Sequence, residues 1–218
     1  APNGYIAAMW VSRHNLNGVA GIDPDIFGTL GWSRLVSRPE PINHDAVLDA
    51  SLPGSDSDFS AIIAMAPDGK LHAVWSSNCD IDGSGIDSDI FHATLEPECW
   101  SPSELVNVNG RTDSDSDLHP SVAVGSDGRV HVVWTSYENI GGTLGNDADI
   151  LYAVSPSPGI WSVPEAVNSG AIGDLLDDVA GKLAVDDRNR PHAVWISDYG
   201  PGPAGLQSNI SYSLRGSS

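Results

Sequence analysis

Apolar residues along this chain fall into short runs that are apolar on both sides of an extended strand. In Lys70–Ser76 one side carries Leu71, Ala73 and Trp75, and the other carries His72 and Val74. An exposed hairpin would set apolar positions against polar ones. A run that is apolar on both sides predicts a strand held between two layers. The run recurs at Arg129–Thr135 and Arg190–Ile196, and more weakly at Tyr5–Val11. Its tryptophans, Trp10, Trp75, Trp134 and Trp195, stand 65, 59 and 61 residues apart. A period of this kind marks a repeat architecture.

Aligned on these tryptophans, each unit reads as four strands, A to D. Strand A is Ser60–Ala66, Ser121–Gly125 or Gly181–Val185. The turns Asp68-Gly69, Asp127-Gly128 and Arg188-Asn189 then suit positive φ, which predicts a two-residue hairpin into strand B. Strand C opens at Asp25, Asp89, Asp149 and Asn209. The first three are preceded two residues earlier by Asp23, Asp87 and Asp147. Strand D follows a second tryptophan, Trp32, Trp100 or Trp161, and runs into Leu105-Val-Asn107 or Ala166-Val-Asn168. No segment has a helical period.

A lone four-stranded meander leaves both of its faces bare, and radial stacking buries them. The chain therefore reads as an all-β protein, a β-propeller built of four-stranded antiparallel blades. About four repeats and 14 strands form a single repeat domain, with units near 1–50, 51–110, 111–170 and 171–218. A β-sandwich is the rival, but it would not require the same tryptophan in every unit. The first unit lacks strand A and the last lacks strand D. Such edges invite association, so a homo-oligomer that completes the ring is expected, or a longer parent propeller.

Charge narrows the partners. With 29 acidic and 10 basic residues the formal charge is −19. That field repels nucleic acid and anionic membranes and favours cations. Cys79 and Cys99 follow successive antiparallel strands, at opposite ends of a unit, and are not expected to form a disulfide.

Three sets of residues are candidates for chemistry. Asp80, Asp82 and Ser84, with Gly85 next, place oxygen ligands at alternate positions as a calcium loop does, and Asp87 or Asp89 could supply a further carboxylate. Asp58, Asp117 and Asp178 precede strand A in register. They could ring the mouth of a central channel and bind a cation or sugar hydroxyls, or they could anchor the links between blades. His72, His131 and His192 repeat on strand B and read as buried, hydrogen-bonded structural residues. Tyr137 and Tyr199 occupy non-repeating loop positions, where an aromatic ring could meet a ligand.

The stretch from Asp149 to Trp161 and Ser162 resembles the repeat of sialidase-like, or BNR-repeat, propellers. Ser155, Gly159 and Trp161 match its Asp-box turn, with Ser157 where the Asp would stand. The resemblance implies a propeller fold and, in its catalytic members, three arginines, a Tyr–Glu pair and an Asp. No repeated position among Arg13, Arg34, Arg38, Arg111, Arg129, Arg188, Arg190 and Arg215 suggests that triad. The expectation is a non-catalytic recognition module that binds a glycan or a protein through its loop face, supported by calcium, in an extracellular or periplasmic setting. The alternative is a glycoside hydrolase or polysaccharide lyase of sialidase-like fold, or a fragment of one.

Overall fold

The computed structural model describes residues 5–13, 23–32, 35–43, 57–96, 99–168, 171–172, 175–202 and 205–215. The side chains of 5–6, 32, 35–36, 199–202 and 205–207 lie outside the described set, and with them those of Tyr5 and Tyr199. Asp56 and Asp174 are likewise outside it. The described residues form four antiparallel sheets and no α-helix. None holds a helix long and apolar enough to cross a membrane.

The first sheet contains β1 (Tyr5–Ser12), β2 (Asp25–Trp32), β3 (Leu35–Val36) and β4 (Glu40–Pro41). Both β3 and β4 pair with β2, at its two ends, so they form one interrupted outer strand. The second contains β5 (Asp58–Met65), β6 (Leu71–Ser77), β7 (Asp89–Thr94) and β8 (Glu104–Leu105). The third contains β9 (Asp117–Val124), β10 (Val130–Ser136), β11 (Asp149–Ser155) and β12 (Glu165–Ala166). The fourth contains β13 (Asp178–Val185), β14 (Pro191–Gly202) and β15 (Gly205–Leu214). With β3 and β4 counted as one, the sheets hold three, four, four and three strands, as the repeat predicts.

The inner strands of successive sheets pack on one another, β5 on β9 and β9 on β13. Three cores lie in the seams. Trp75 packs with Ile26 and Phe91 in the first seam, Trp134 with Val74 and Ile90 in the second, and Trp195 with Val133 and Ile150 in the third. Strand B of the second and third sheets therefore gives its tryptophan to one neighbouring sheet and its valine to the other, which is why both sides are apolar. Trp75 and Trp134 are fully buried; Trp10, on the first sheet, is 37% exposed. At the other extreme, Ile210 and Tyr212 leave one face of the fourth sheet open to solvent.

Two local features depart from the sequence reading. The A–B turns have three residues, not two. Ala66 N–H donates to Lys70 C=O across Pro67-Asp68-Gly69, and Gly125 to Arg129 in the same way. Gly69, Gly128 and Asn189 take the positive φ that closes such a loop. Strand A also starts earlier than expected, at the aspartate itself. Ser60, His119 and Ala180 each have φ near +55° (56, 54 and 57) and mark a repeated bulge. The bulge adds twist and lets the strand begin with Asp58, Asp117 or Asp178 turned toward the seam. Strand D is correspondingly shorter than the sequence suggests, and Trp100 joins only an isolated bridge to Leu95. The serines after Trp100 and Trp161 each accept a strand C amide, from Thr94 to Ser101 and from Val154 to Ser162. No disulfide joins Cys79 and Cys99.

Candidate functional site

The meander sends two kinds of connection to each end of the sheets. The B–C and D–A loops share one end, the loop end. The A–B and C–D turns share the other, the hairpin end. Each end gathers a distinct set of ionisable side chains.

At the loop end, every described seam carries the same clamp. Asn107 donates its amide hydrogens to Asp89 (2.7 Å) and Asp117 (2.6 Å), while its oxygen accepts the Ile90 N–H (2.9 Å). Asn168 does the same for Asp149, Asp178 and Ile150, and Asn43 for Asp25, Asp58 and Ile26. One amide thus joins the start of strand C, the end of strand D and the start of the next blade's strand A. Asp58, Asp117 and Asp178 are all buried in these clamps. Asp117 also accepts the Trp134 indole N–H (2.8 Å), and Asp178 accepts the Ser197 hydroxyl. Burial holds the Asp117 carboxyl well above the usual carboxylate range.

Beside the second clamp lies a denser acidic group. Asp87, Asp89 and Asp113 offer ligand atoms that all lie within 4.8 Å of one another, an arrangement that could hold a metal ion. Asn109 donates to Asp113 (2.6 Å) and to Glu138. Burial, reinforced by Asp87 and Asp113, pushes Asp89 up to about 7. Burial and Asp113 push Glu138 up to about 7 as well, and burial raises Asp113. The remaining residues of the expected calcium loop are engaged elsewhere. Asp80 accepts the Gly85 N–H (3.2 Å), exposed Asp82 pairs with Arg111, and buried Ser84 donates to the Cys79 carbonyl (3.3 Å). Asp87 and Asp89 therefore join Asp113, a residue that sequence proximity did not suggest. Tyr137 stands at this end, 39% exposed.

At the hairpin end the repeated strand B histidines each meet a strand C partner. His131 Nδ1 lies 2.7 Å from the Tyr152 hydroxyl, and His192 Nδ1 lies 2.9 Å from that of Tyr212. In the second sheet the partner is a second histidine. His72 Nδ1 is 3.0 Å from His92 Nε2, and His92 Nδ1 is 3.3 Å from Glu104 Oε2. Glu104 is held below its ordinary value by its bond to His92, so it stands as an ionised acceptor. With both rings neutral, this chain of partners sets the tautomers. His92 donates from Nδ1 to Glu104, its Nε2 accepts from His72 Nδ1–H, and His72 Nε2 keeps a bare lone pair. Burial and the neighbouring His92 lower His72 to about 4, so the ring is neutral at physiological pH. His72 and Glu104 line a cleft of about 420 Å³ between the second and third sheets, walled by Lys70 and Thr94 on one side and Asp127 and Pro158 on the other. Trp161 of the third sheet packs edge-on against His92. A second cleft of about 360 Å³, between the third and fourth sheets, is lined by Tyr152, Glu165 and Arg215. The Arg215 guanidinium sits 4.7 Å from the Tyr152 ring centre and pairs with Glu165.

The sequence reading noted the repeating asparagines but gave them no role, and it missed His92 and Glu104. The signal for the clamp was present: Val-Asn recurs at Asn107 and Asn168, 18 and 19 residues after the aspartate that opens strand C. Glu104 also repeats, since Glu40 and Glu165 hold the same place opposite strand C, but His92 does not: Gly28 and Tyr152 stand at its position, so periodicity could not reveal the pair.

No protein-family profile and no curated protein sequence matches the chain. Its fold is similar to that of several carbohydrate-active enzymes. A thermostable family-43 glycoside hydrolase matches with a TM-score of 0.54 and 17% identity over 99% of this chain and 72% of its own. A Hadza microbial sialidase matches at 0.56 and 14%, over 90% of this chain and 44% of its own. A family-25 polysaccharide lyase, an ulvan lyase, matches at 0.58 and 12%, over 98% and 55%. The chain thus spans about half the length of the last two. At these identities the likeness establishes the fold: an all-β array of propeller blades of the type these enzymes share.

Proposed function

We propose that this chain is the propeller domain of an extracellular glycan-cleaving enzyme, and that the cleft at the hairpin end between the second and third sheets is its active site. The observation that carries this is the Glu104–His92–His72 relay, which ends in a bare imidazole nitrogen within a cleft of ligand size. A non-catalytic recognition role draws no support from the structural neighbours, which are hydrolases and lyases. Of the two reactions, the cleft fits elimination better. Hydrolysis with a carboxylic acid donor needs a protonated carboxyl, and Glu104 is held ionised. Elimination at a uronate needs a neutral base beside the carbon next to the carboxylate. His72 Nε2 would take that proton, the C–H electrons would form the ring double bond, and the leaving glycosidic oxygen would recover the proton from the same imidazolium. An anionic substrate beside His72 raises the basicity that burial suppresses. The ulvan lyase of similar fold is bound to a glucuronate–sulfated rhamnose segment, which supports a uronate substrate class.

A hydrolase centred on Glu138 and Asp113 is the second reading. Their raised ionisation and shared Asn109 favour it. Under the first reading, calcium at the loop end would order loops and take no part in the reaction. The test is incubation with uronate-containing polysaccharides. Elimination generates the ultraviolet absorbance of an unsaturated uronate along with new reducing ends; hydrolysis generates reducing ends alone. His72→Gln should lower turnover about 10²–10⁴-fold, and Glu104→Gln about tenfold, with the fold intact by circular dichroism. Full elimination activity in His72→Gln would rule the relay out.

A further inference from the structure

The acidic group at the loop end is short of donors. Asp89 is fully buried, and its Oδ2 has no hydrogen-bond partner. The Ser84 hydroxyl is near it but is directed to the Cys79 carbonyl at 3.3 Å. Asp87 Oδ2, Asp113 Oδ1 and Asn109 Oδ1 are also buried atoms without a partner. Among the described residues no lysine or arginine pairs with Asp87, Asp89 or Asp113, and Arg111, the nearest in sequence, is engaged with Asp82. Several carboxylates crowded together with bare inward oxygens are costly unless a cation joins them.

We infer that one divalent cation of the calcium class binds here, held by Asp87, Asp89, Asp113 and the Asn109 carbonyl, and that it ties the second blade to the third. The donors are all oxygens, which selects a hard ion over zinc or copper. Ligand atoms that all lie within 4.8 Å of one another can share one such ion, whose bonds to oxygen run about 2.3–2.6 Å. The surrounding backbone is shaped to the group. A Cβ on Gly110 would collide with the Asp89 carboxylate and sit 2.9 Å from Asn107 Nδ2, so only glycine lets this loop close over Asp89. Asp87 and Asp89 belong to the second sheet, and Asn109 and Asp113 to the link that enters the third. Glu138 approaches from the third sheet's own B–C loop through Asn109. The ion would therefore sit in the seam itself. This site stands independently of glycan cleavage at the other end.

The probe is calcium itself, added to the chelator-stripped protein. Calorimetric titration should give one site, and saturation at about 100 times Kd should raise Tm by about 5–10 °C. Affinity should increase between about pH 6 and 8 as protons leave the cluster. Asp113→Asn and Asp87→Asn should each weaken binding at least roughly tenfold and abolish most of the Tm rise. Asp82→Asn, on the exposed loop, should leave both unchanged. Asp87 is half-buried and outside the Asn107 clamp, so its isosteric variant decides the matter if Asp113→Asn fails to fold. No calcium-dependent rise in Tm would overturn the inference. So would an equal loss in Asp82→Asn, which would mean diffuse charge screening.

Discussion

The two ends of the sheets bury opposite kinds of acid. At the loop end, carboxyls are held above their ordinary range by burial and by one another: Asp89 and Glu138 near 7, Asp113 and Asp117 raised. At the hairpin end, imidazoles are held below theirs, with His72 and His131 near 4. The cations divide in the same way. Lys70, Arg129, Arg188, Arg190 and Arg215 flank the hairpin end, whereas Arg111 stands alone among the described loop-end segments of the second and third sheets. The net charge of −19 is therefore not spread evenly. Screening over about 8 Å in physiological salt lets an anionic glycan approach the hairpin end despite that total. The loop end fastens one blade to the next, and the hairpin end leaves a neutral base open to a cleft.

The strongest way to break this division is to remove a clamp. Asn107→Leu deprives buried Asp89 and Asp117 of their shared donor and the Ile90 N–H of its acceptor. Urea unfolding should show a loss of about 3–5 kcal/mol, the usual cost of stranding a buried charged partner. Turnover per folded molecule at the hairpin end should survive. If Asn107→Leu were as stable as the parent, the seams would be held by their apolar cores alone, and the repeated clamp would be incidental.

How much of this the sequence shows follows from periodicity. The tryptophans and the two-sided apolar runs announce the seams because every blade needs them. The strand C aspartates announce the clamp for the same reason. The true partner, an asparagine 18 or 19 residues on, becomes visible only when strand D folds back. His92 is a single-copy residue whose neighbours are set by the sheet register. His92 pairs across to Val74 and Glu104, which places it diagonal to His72. No spacing rule yields that contact. Of the Asp80–Asp89 segment, the seam brings Asp87 and Asp89 to Asp113, a partner that nearness in sequence does not give.

A smaller effect sharpens the comparison through pH. Asp89 and Glu138 have folded values above their unfolded ones (3.8 and 4.5), so the folded state binds more protons across the interval. Their contribution is present below about pH 4 and is lost as pH rises through about 7. His72 and His131 lie below their ordinary 6.5, so their contribution is present above that value and is lost as pH falls toward 4. In calcium-free buffer the two ends should oppose one another between about pH 4 and 6.5, leaving a shallow Tm maximum. Glu138→Gln should flatten the alkaline limb and His131→Gln the acid limb. If both variants flattened the same limb, the separation of the two ends would be wrong.

The smallest effects concern two exposed ion pairs, one at each end. Arg111–Asp82 and Lys70–Glu96 are both largely solvated, with side-chain exposures of 45%/73% and 45%/45%. Pairs this exposed contribute about 0–1 kcal/mol, because water and salt screen them and two long side chains lose freedom. Arg111→Ala and Lys70→Ala should therefore shift the urea midpoint almost equally and almost not at all. Stability cannot separate the two ends at this level, but substrate can. Lys70 walls the cleft beside His72 and Arg111 does not. With an anionic polysaccharide, Lys70→Ala should raise KM severalfold with kcat nearly unchanged, and the difference should shrink in high salt. Arg111→Ala should leave KM alone. Equal KM changes in the two variants would mean that the whole molecular field governs approach, and the local charge of the hairpin end would lose its role.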